Sequence, residues 1–303
     1  MDGDYPEALQ IEVTNRCNFN CQMCVRRAWD AKIGDLDLGL YKRIAKTSFP
    51  HLRRLILYGL GEPLVNPNFI EMLKIAREKM PRDGEILIST NGSLLNSQSA
   101  GKILKIGVSN ISFSIDTTDA AKLKYIRERS EPTVILRNFQ HVSRMKRNLK
   151  GAFKLGVEAV VMRDNYMDLP SLIEELSYEE ADYIIISHIM PYTEEMFRRV
   201  IYIPLSRIPF EIVKSSLEYD WKLILESTHE FFGRIYGLDI EPKASKMISE
   251  FWSEAEKNGY WINLPLLFYL RDKIIEVNRE VERVFEISRK IAHEHGVEIR
   301  LPN

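Results

Sequence analysis

Short apolar runs and amphipathic stretches alternate along the first two-thirds of the chain. The runs LQIEVT (9–14), RLILYG (54–59), EILIST (85–90), NISFSID (110–116), VEAVVM (157–162) and DYIIIS (182–187) have the length and β-branched content of strands. Between them, LGLYKRIAKTSF, PNFIEMLKIAREKM and LPSLIEELSYEEA repeat apolar residues at i, i+3 and i+4, the stripe of a helix packed on one side. Apolar strands separated by such helices predict a parallel sheet with covered strands. Six of these units predict an α/β fold, a partial (βα)6 TIM-like barrel, with its chemistry at the C-terminal strand ends.

From about residue 205 the pattern changes. FEIVKSSLEYDWKLILESTHEFFGRIYGL, PKASKMISEFWSEAEKNG and LLFYLRDKIIEVNREVERVFEISRKIAHEHG read as helices punctuated by Gly and Pro. VEIRLP (297–302) reads as a seventh strand. The expected organisation is a core over 1–204 and a helical region over 205–303 that ends in that strand. The aromatic pieces MISEFW and NGYWINLPLLFYL fit core-facing stripes better than a substrate lid.

Composition narrows the class. The 303 residues are 45% hydrophobic and 28% charged, as expected of a chain with a proper core. A net charge of −1 gives no field that points to nucleic acid or an acidic membrane surface. No apolar run approaches the ~20 residues of a membrane span. MDGDYPEA lacks the basic and apolar parts of a secretory signal. Three clustered cysteines do not make a disulfide framework, so a cytoplasmic setting is expected.

Those cysteines carry the chemistry. Cys17, Cys21 and Cys24 all lie in TNRCNFNCQMCVRR, spaced C-x3-C-x2-C. Thiolates suit zinc, copper(I) or iron–sulfur clusters. A closed zinc site needs a fourth protein ligand. Among His51, His141, His188, His229, His293 and His295, none has the spacing of a finger or ribbon. A four-iron cluster normally takes four cysteines. Held by three, it keeps one iron open to a ligand, as a catalytic zinc keeps an open position. Buried inert thiols are the plain alternative, but the segment is polar and loop-like. The residues favour a cluster and leave zinc as the other reading.

Other strand ends carry candidate residues. In YGLGEP (58–63), two glycines allow close backbone approach and Pro63 fixes the turn, although an ordinary βα turn looks the same. STNGSLL (89–95) holds Ser89 and Asn91 beside an Asn-Gly turn. Asp116 in SIDT either contacts substrate or caps the next helix. Arg127 in YIRERS is a carboxylate binder or a solvated cation. Asn165 and His188 are pocket candidates at the ends of strands five and six. The i, i+2 spacing of HEH (293–295) puts its rings on different helix faces and argues against a metal there.

At the cysteine loop the chain resembles the radical SAM superfamily, whose hallmark is C-x3-C-x-(apolar or aromatic)-C after the first barrel strand; Met23 stands where many members have an aromatic residue. The resemblance implies that Cys17, Cys21 and Cys24 ligate three irons of one 4Fe–4S cluster, whose open iron takes the amino and carboxylate groups of S-adenosylmethionine (SAM). It also implies that Gly61, Glu62 and Pro63 form the turn that receives the SAM amino group, with Leu60 in place of a glycine. Ser89 and Asn91 then meet the ribose, and Arg127 and Asn165 complete the cofactor contacts. His188 and Asp116 are the candidate catalytic residues, and Thr117 departs from the glycine usual after Asp116.

LQIEVTNRCNFNCQMCVRRAW, GLGEP, VMRDN and SHIMPYTEEM together resemble the tungsten cofactor oxidoreductase maturases, over residues 8 to about 200. This implies reductive cleavage of SAM to a 5′-deoxyadenosyl radical that abstracts hydrogen during maturation of a tungsten/pterin oxidoreductase cofactor. The expected partners are a small-molecule or cofactor substrate, the tungsten oxidoreductase itself, and an external electron donor such as ferredoxin or flavodoxin. No nucleic-acid or membrane partner is expected. Radical modification of a ribosomal peptide or partner protein is the second reading. A non-catalytic metal-binding protein is the third, and the intact GLGEP and STNG turns speak against it. Such relatives usually carry a cysteine-rich SPASM-type extension with a further cluster. No cysteine follows Cys24, so that extension finds no match here.

Overall fold

The computed structural model describes residues 5–149, 151–201, 253, 257 and 274–302. The chain divides into two compact units, Met1–Arg199 with Val284–Pro302, and Val200–Arg283 with Asn303. The first unit carries the sheet. Its strands are β1 (Ala8–Gln10), β2 (Arg54–Ile56), β3 (Glu85–Thr90), β4 (Asn110–Ser114), β5 (Lys154–Val161), β6 (Tyr183–His188) and β7 (Glu298–Arg300). They pair in sequential order, every neighbour parallel, with β1 and β7 at the edges. This is the connectivity of an unclosed βα barrel, and the seven expected strands are all present.

Helices fill the crossovers: α1 (Leu38–Ser48), α2 (Phe69–Lys79), α3 (Ser97–Ile106), α4 (Ala120–Ile126), α5 (Pro132–Asn148) and α6 (Leu169–Tyr178). A short α7 (Glu194–Phe197) follows β6, and α8 (Ile274–Glu294) leads into β7. Local chemistry sets several boundaries. Asp37, Asn96 and Asp119 cap α1, α3 and α4 through their side chains, and Gly107 ends α3 at φ +94°. The β4–β5 crossover holds two helices, and the end of α4 returns to the mouth of the barrel.

The two faces of the sheet differ sharply. Register places Ile88, Ile111 and Leu155 in one row and Thr90, Phe113, Val157 and Ile184 in the next. Ile111, Phe113, Leu155, Val157 and Ile184 are fully excluded from water. Phe113 meets Phe139 of α5 edge-on, ring centroids 5.2 Å apart, so this is the helix-covered face. The opposite face carries Ser89, Ser112, Gly156 and Tyr183 in one row, with Glu158 two residues further along β5. An apolar outer layer therefore holds a polar interior.

One sequence expectation needs adjusting. Strand β5 starts at Lys154, ahead of the apolar run, because Gly156 interrupts the pattern without interrupting the ladder. A Cβ on Gly156 would lie 2.1 Å from the Tyr183 ring, which fills that space. The expected helices over 210–238 and 242–259, the first part of the third, and His229 lie outside the described residues apart from Ser253 and Lys257. Among the described residues no helix is long and apolar enough to cross a membrane.

Candidate functional site

The cysteine loop leaves β1 at the C-terminal edge of the sheet, where βα barrels keep their reacting groups. Cys17, Cys21 and Cys24 are all free thiols of intermediate exposure. Two neighbours shape the loop. On one side Glu62 N donates to the Arg16 carbonyl at 2.8 Å. On the other, Asn20 N and Gln22 N donate to the carbonyls of Glu128 and Ile126 at 3.0 and 2.8 Å, in the manner of a short added strand. The Glu128 carboxylate reinforces that seam by accepting from Asn20 Nδ2 at 2.8 Å and Arg27 Nη1 at 2.9 Å.

The GLGEP turn packs directly beneath the loop. A Cβ on Gly61 would lie 2.1 Å from the Thr14 carbonyl oxygen and 2.6 Å from that of Arg16. The backbone approach that this glycine permits is thus to the cysteine loop itself. Glu62 is 2% exposed, and its carboxylate accepts from Asn91 N at 2.6 Å, Thr90 Oγ1 at 2.8 Å and Leu64 N at 3.1 Å. Burial raises its pKa against the pull of those three donors. Pro63 opens the 3-10 turn Pro63–Val65 that Glu62 caps. Leu60 is exposed, and its N–H is taken by the Glu12 carboxylate.

The STNG turn closes the third side. Asn91 Nδ2 donates to Asn18 Oδ1 at 2.8 Å and lies 3.8 Å from Cys17 Sγ. Gly92 sits at φ +78°, and a Cβ there would meet the Phe113 ring at 2.6 Å, so only glycine fits. Ser89 points into the barrel and donates to Glu158 Oε2 at 3.1 Å.

At the ends of β4 and β5 the groups are charged. Asp116 is wholly buried and pairs with Arg127 (Nε–Oδ2 2.8 Å, Nη2–Oδ1 3.2 Å) while accepting from Val160 N at 2.9 Å. Arg127 is 8% exposed, so it is not a solvated cation, and its Nη1 stands 4.0 Å from Cys21 Sγ. Asp116 does not cap the following helix; Asp119 does. Thr117 replaces the usual glycine by accepting from Asp119 N at 3.1 Å and donating to Asp168 at 3.0 Å. Asn165 Nδ2 donates to the carbonyls of Asp116 and Val160, both at 2.9 Å, while its Oδ1 accepts from Met162 N. Its amide protons thus link the ends of β4 and β5. His188 ends β6, and burial pulls its pKa to about 4, leaving it neutral at ordinary pH. His295 meets the Tyr178 ring edge-on, away from any ligand set.

The electrostatics of the loop suit thiolate ligands that a metal must stabilise. Burial raises Cys17, while the Phe19 N–H, Arg26 and Asn91 act in the other direction. Burial pushes Cys21 up to about 12; Arg127 lowers it, and negative charge on Asp116, Cys17 and Cys24 raises it further. Three part-exposed free thiols on one loop, with no fourth cysteine in the sequence, are a donor set that fits a four-iron cluster, which takes each thiolate on a separate iron.

Sequence reasoning missed Glu158, because a lone Glu in a strand run reads as a solvent-facing residue. It is half-buried on the inner face; burial raises its pKa, with the Ser112 and Ser89 hydroxyls and Arg127 opposing. Tyr183 OH lies 2.7 Å from Ser112 Oγ in the same layer. Register with Ser112 across Gly156 is the signal that locates both.

Comparison with known proteins agrees with this geometry. The chain is 31% identical over 198 residues to the tungsten-containing aldehyde ferredoxin oxidoreductase cofactor-modifying protein of Pyrococcus furiosus, covering 64% of this chain and 54% of that one. It is 28% identical over 221 residues to the GTP 3′,8-cyclase of Rhizobium meliloti, covering 67% and 61%. The chain thus spans between half and two-thirds of the length of these relatives. In fold it is similar to Streptococcus suis SuiB bound to its precursor peptide SuiA, with a TM-score of 0.55 at 16% identity, over 67% of this chain and 44% of that one. The profile of the Radical SAM superfamily matches residues 11–176, more than half of the chain, and spans the cysteine loop and the strand-end turns built around it. Loop, turns, sheet order and profile agree, and the chain belongs to the Radical SAM superfamily.

Proposed function

We propose that this chain is a radical SAM enzyme that acts in maturing the cofactor of a tungsten-dependent oxidoreductase. The observation that carries the reading is the placement of three free thiols on one loop, walled by the GLGEP turn, the STNG turn and the buried Arg127. Cys17, Cys21 and Cys24 would hold three corners of the family's 4Fe–4S cluster and leave the fourth iron to SAM. Bound together, the two cofactors supply a one-electron route to hydrogen-atom abstraction. The protein's own part is mechanical and electrostatic. Glu62 fixes the STNG turn against the GLGEP turn, Asn91 aims an N–H at Cys17, and the apolar outer layer keeps the strand ends in register. Ser89, Ser112, Glu158 and Tyr183 give the interior donors and acceptors that can orient a polar substrate.

The tungsten reading rests on the Pyrococcus furiosus relative, whose name states that role. It brings with it a cytoplasmic setting, an external one-electron donor and a pterin-type or protein-bound cofactor as substrate. The test is anaerobic reconstitution with iron and sulfide, then reduction in the presence of SAM. Four irons per chain and release of 5′-deoxyadenosine are expected. Release that rises on adding the purified tungsten oxidoreductase supports the substrate, and a reconstituted protein that carries one zinc and leaves SAM intact refutes the enzyme.

A further inference from the structure

We propose that Arg127 and Asp116 form a fixed dipole that sets how readily the iron–sulfur cluster is reduced, acting through Cys21. The inference rests on the cluster assignment above and concerns two residues otherwise expected to touch SAM or substrate.

The geometry is directional. The guanidinium lies between a carboxylate and a thiol, with Nε and Nη2 turned to Asp116 and Nη1 turned to Cys21 Sγ at 4.0 Å. Neither side chain can reorient freely. Asp116 is held by Val160 N, and its carbonyl is held by Asn165. Arg127 caps the C-terminal end of α4, whose own N–H bonds to the Leu123 carbonyl fix the backbone. The adjoining carbonyls of Ile126 and Glu128 are the ones that bind the cysteine loop, so cation and thiol ride on the same backbone seam. Glu62 and Glu158 also feel the Arg127 charge, but Asp116 is the carboxylate in contact with it.

Burial makes the arrangement strong. Both groups are shielded from water, so their fields are little screened by solvent or salt. Cluster potentials respond to net charge, hydrogen bonds to sulfur and solvent exposure. Reduction adds one electron, delivered by the external donor, and therefore one negative charge to the cluster. The near positive end of the pair favours that state, and the Asp116 carboxylate behind it partly opposes. The two residues thus act with opposite sign on one quantity.

Opposite sign makes the test sharp. The reconstituted full-length protein is titrated electrochemically, with mediators and without SAM, and the midpoint potential is read from the cluster absorbance or its reduced-state EPR signal. Arg127→Met leaves a buried carboxylate beside Cys21 and is expected to shift the potential to a more negative value. Asp116→Asn leaves the cation unopposed and is expected to shift it to a more positive value. The double variant is expected between them, and Arg127→Lys nearer to the native value than Arg127→Met.

Iron content and far-UV circular dichroism identify variants that fail to fold; should Arg127→Met be one, Asp116→Asn and Arg127→Lys carry the sign test. Shifts of the same sign, or none in variants with a full cluster, overturn the dipole. A residue that only binds the SAM carboxylate would weaken SAM affinity and leave the SAM-free potential unmoved, which also overturns it. Failure of the native protein to take up four irons would instead defeat the cluster assignment, a separate result.

Discussion

The two sides of the barrel mouth solve different problems with similar residues. Beside β2 and β3, the buried polar atoms of Glu62, Thr90, Asn91 and Asn66 bind backbone or one another, and they hold turns in shape. Beside β4 and β5, neutral buried groups such as Thr117 and Asn165 are joined by ion pairs: Asp116 with Arg127, both buried, Arg199 with Asp164, and Asp168 with Lys122 nearer the surface. The first side builds the turns on which the cysteine loop rests. The second adds a backbone seam to the loop and brings the charge closest to it. Damage to the two sides should therefore appear in different measurements, shape in iron uptake and stability, field in potential and pH response.

The largest effect is expected at the three cysteines that both sides serve. Cys17→Ala, Cys21→Ala or Cys24→Ala should each abolish SAM cleavage and remove most cluster absorbance, with folding preserved; a single variant that keeps full activity would remove that cysteine from the ligand set. Phe113→Ala takes away the ring beneath Gly92 and Phe139 and should cost about 3–5 kcal/mol of stability by denaturant titration. Next comes Glu62→Ala, which strands the Asn91 N–H and should cost about 2–4 kcal/mol. Its iron uptake should fall further than its stability alone explains.

Gly61→Ala and Gly34→Ala sharpen the argument about shape. A methyl at Gly61 meets two backbone carbonyls of the cysteine loop, whereas one at Gly34 meets nothing within 4 Å. Iron incorporation should drop several-fold in the first and stay unchanged in the second. The smallest effect concerns field. Burial raises the Glu158 pKa, so the folded state keeps its proton when the unfolded chain has lost it. Stability is then fully present below the ordinary carboxylate range and declines as pH rises through the raised value. Glu158→Gln should flatten that decline in stability-against-pH curves, and an unchanged slope would show that the carboxylate feels no such burial.

Much of the frame was legible in the sequence because periodicity reports burial. EILIST gave β3 to the residue, since both its faces are largely enclosed. The start of β5 was not legible: Gly156 has no side chain to declare a face, and its partner Tyr183 lies a whole crossover away. At the site, local spacing exposed the cysteines and the two turns. The Arg127–Asp116 pair stayed hidden because the ten intervening residues, including all of α4, must fold before the two meet. The bonds of Asn165 to the ends of β4 and β5 were not legible either, because a polar residue just past a strand end reads the same whether it binds a ligand or a neighbouring strand.

One consequence follows from the tyrosine that lies over Gly156. Its aromatic ring occupies the volume that a side chain from the adjacent strand would otherwise claim, and its hydroxyl is anchored one strand further, at Ser112. Three positions on three strands thus share a single parcel of space on the inner face of the sheet. None of them can drift alone: an alanine at 156 would evict the ring, and a smaller residue at 183 would leave the Ser112 hydroxyl without its partner. Homologues should therefore differ at these sites as a set.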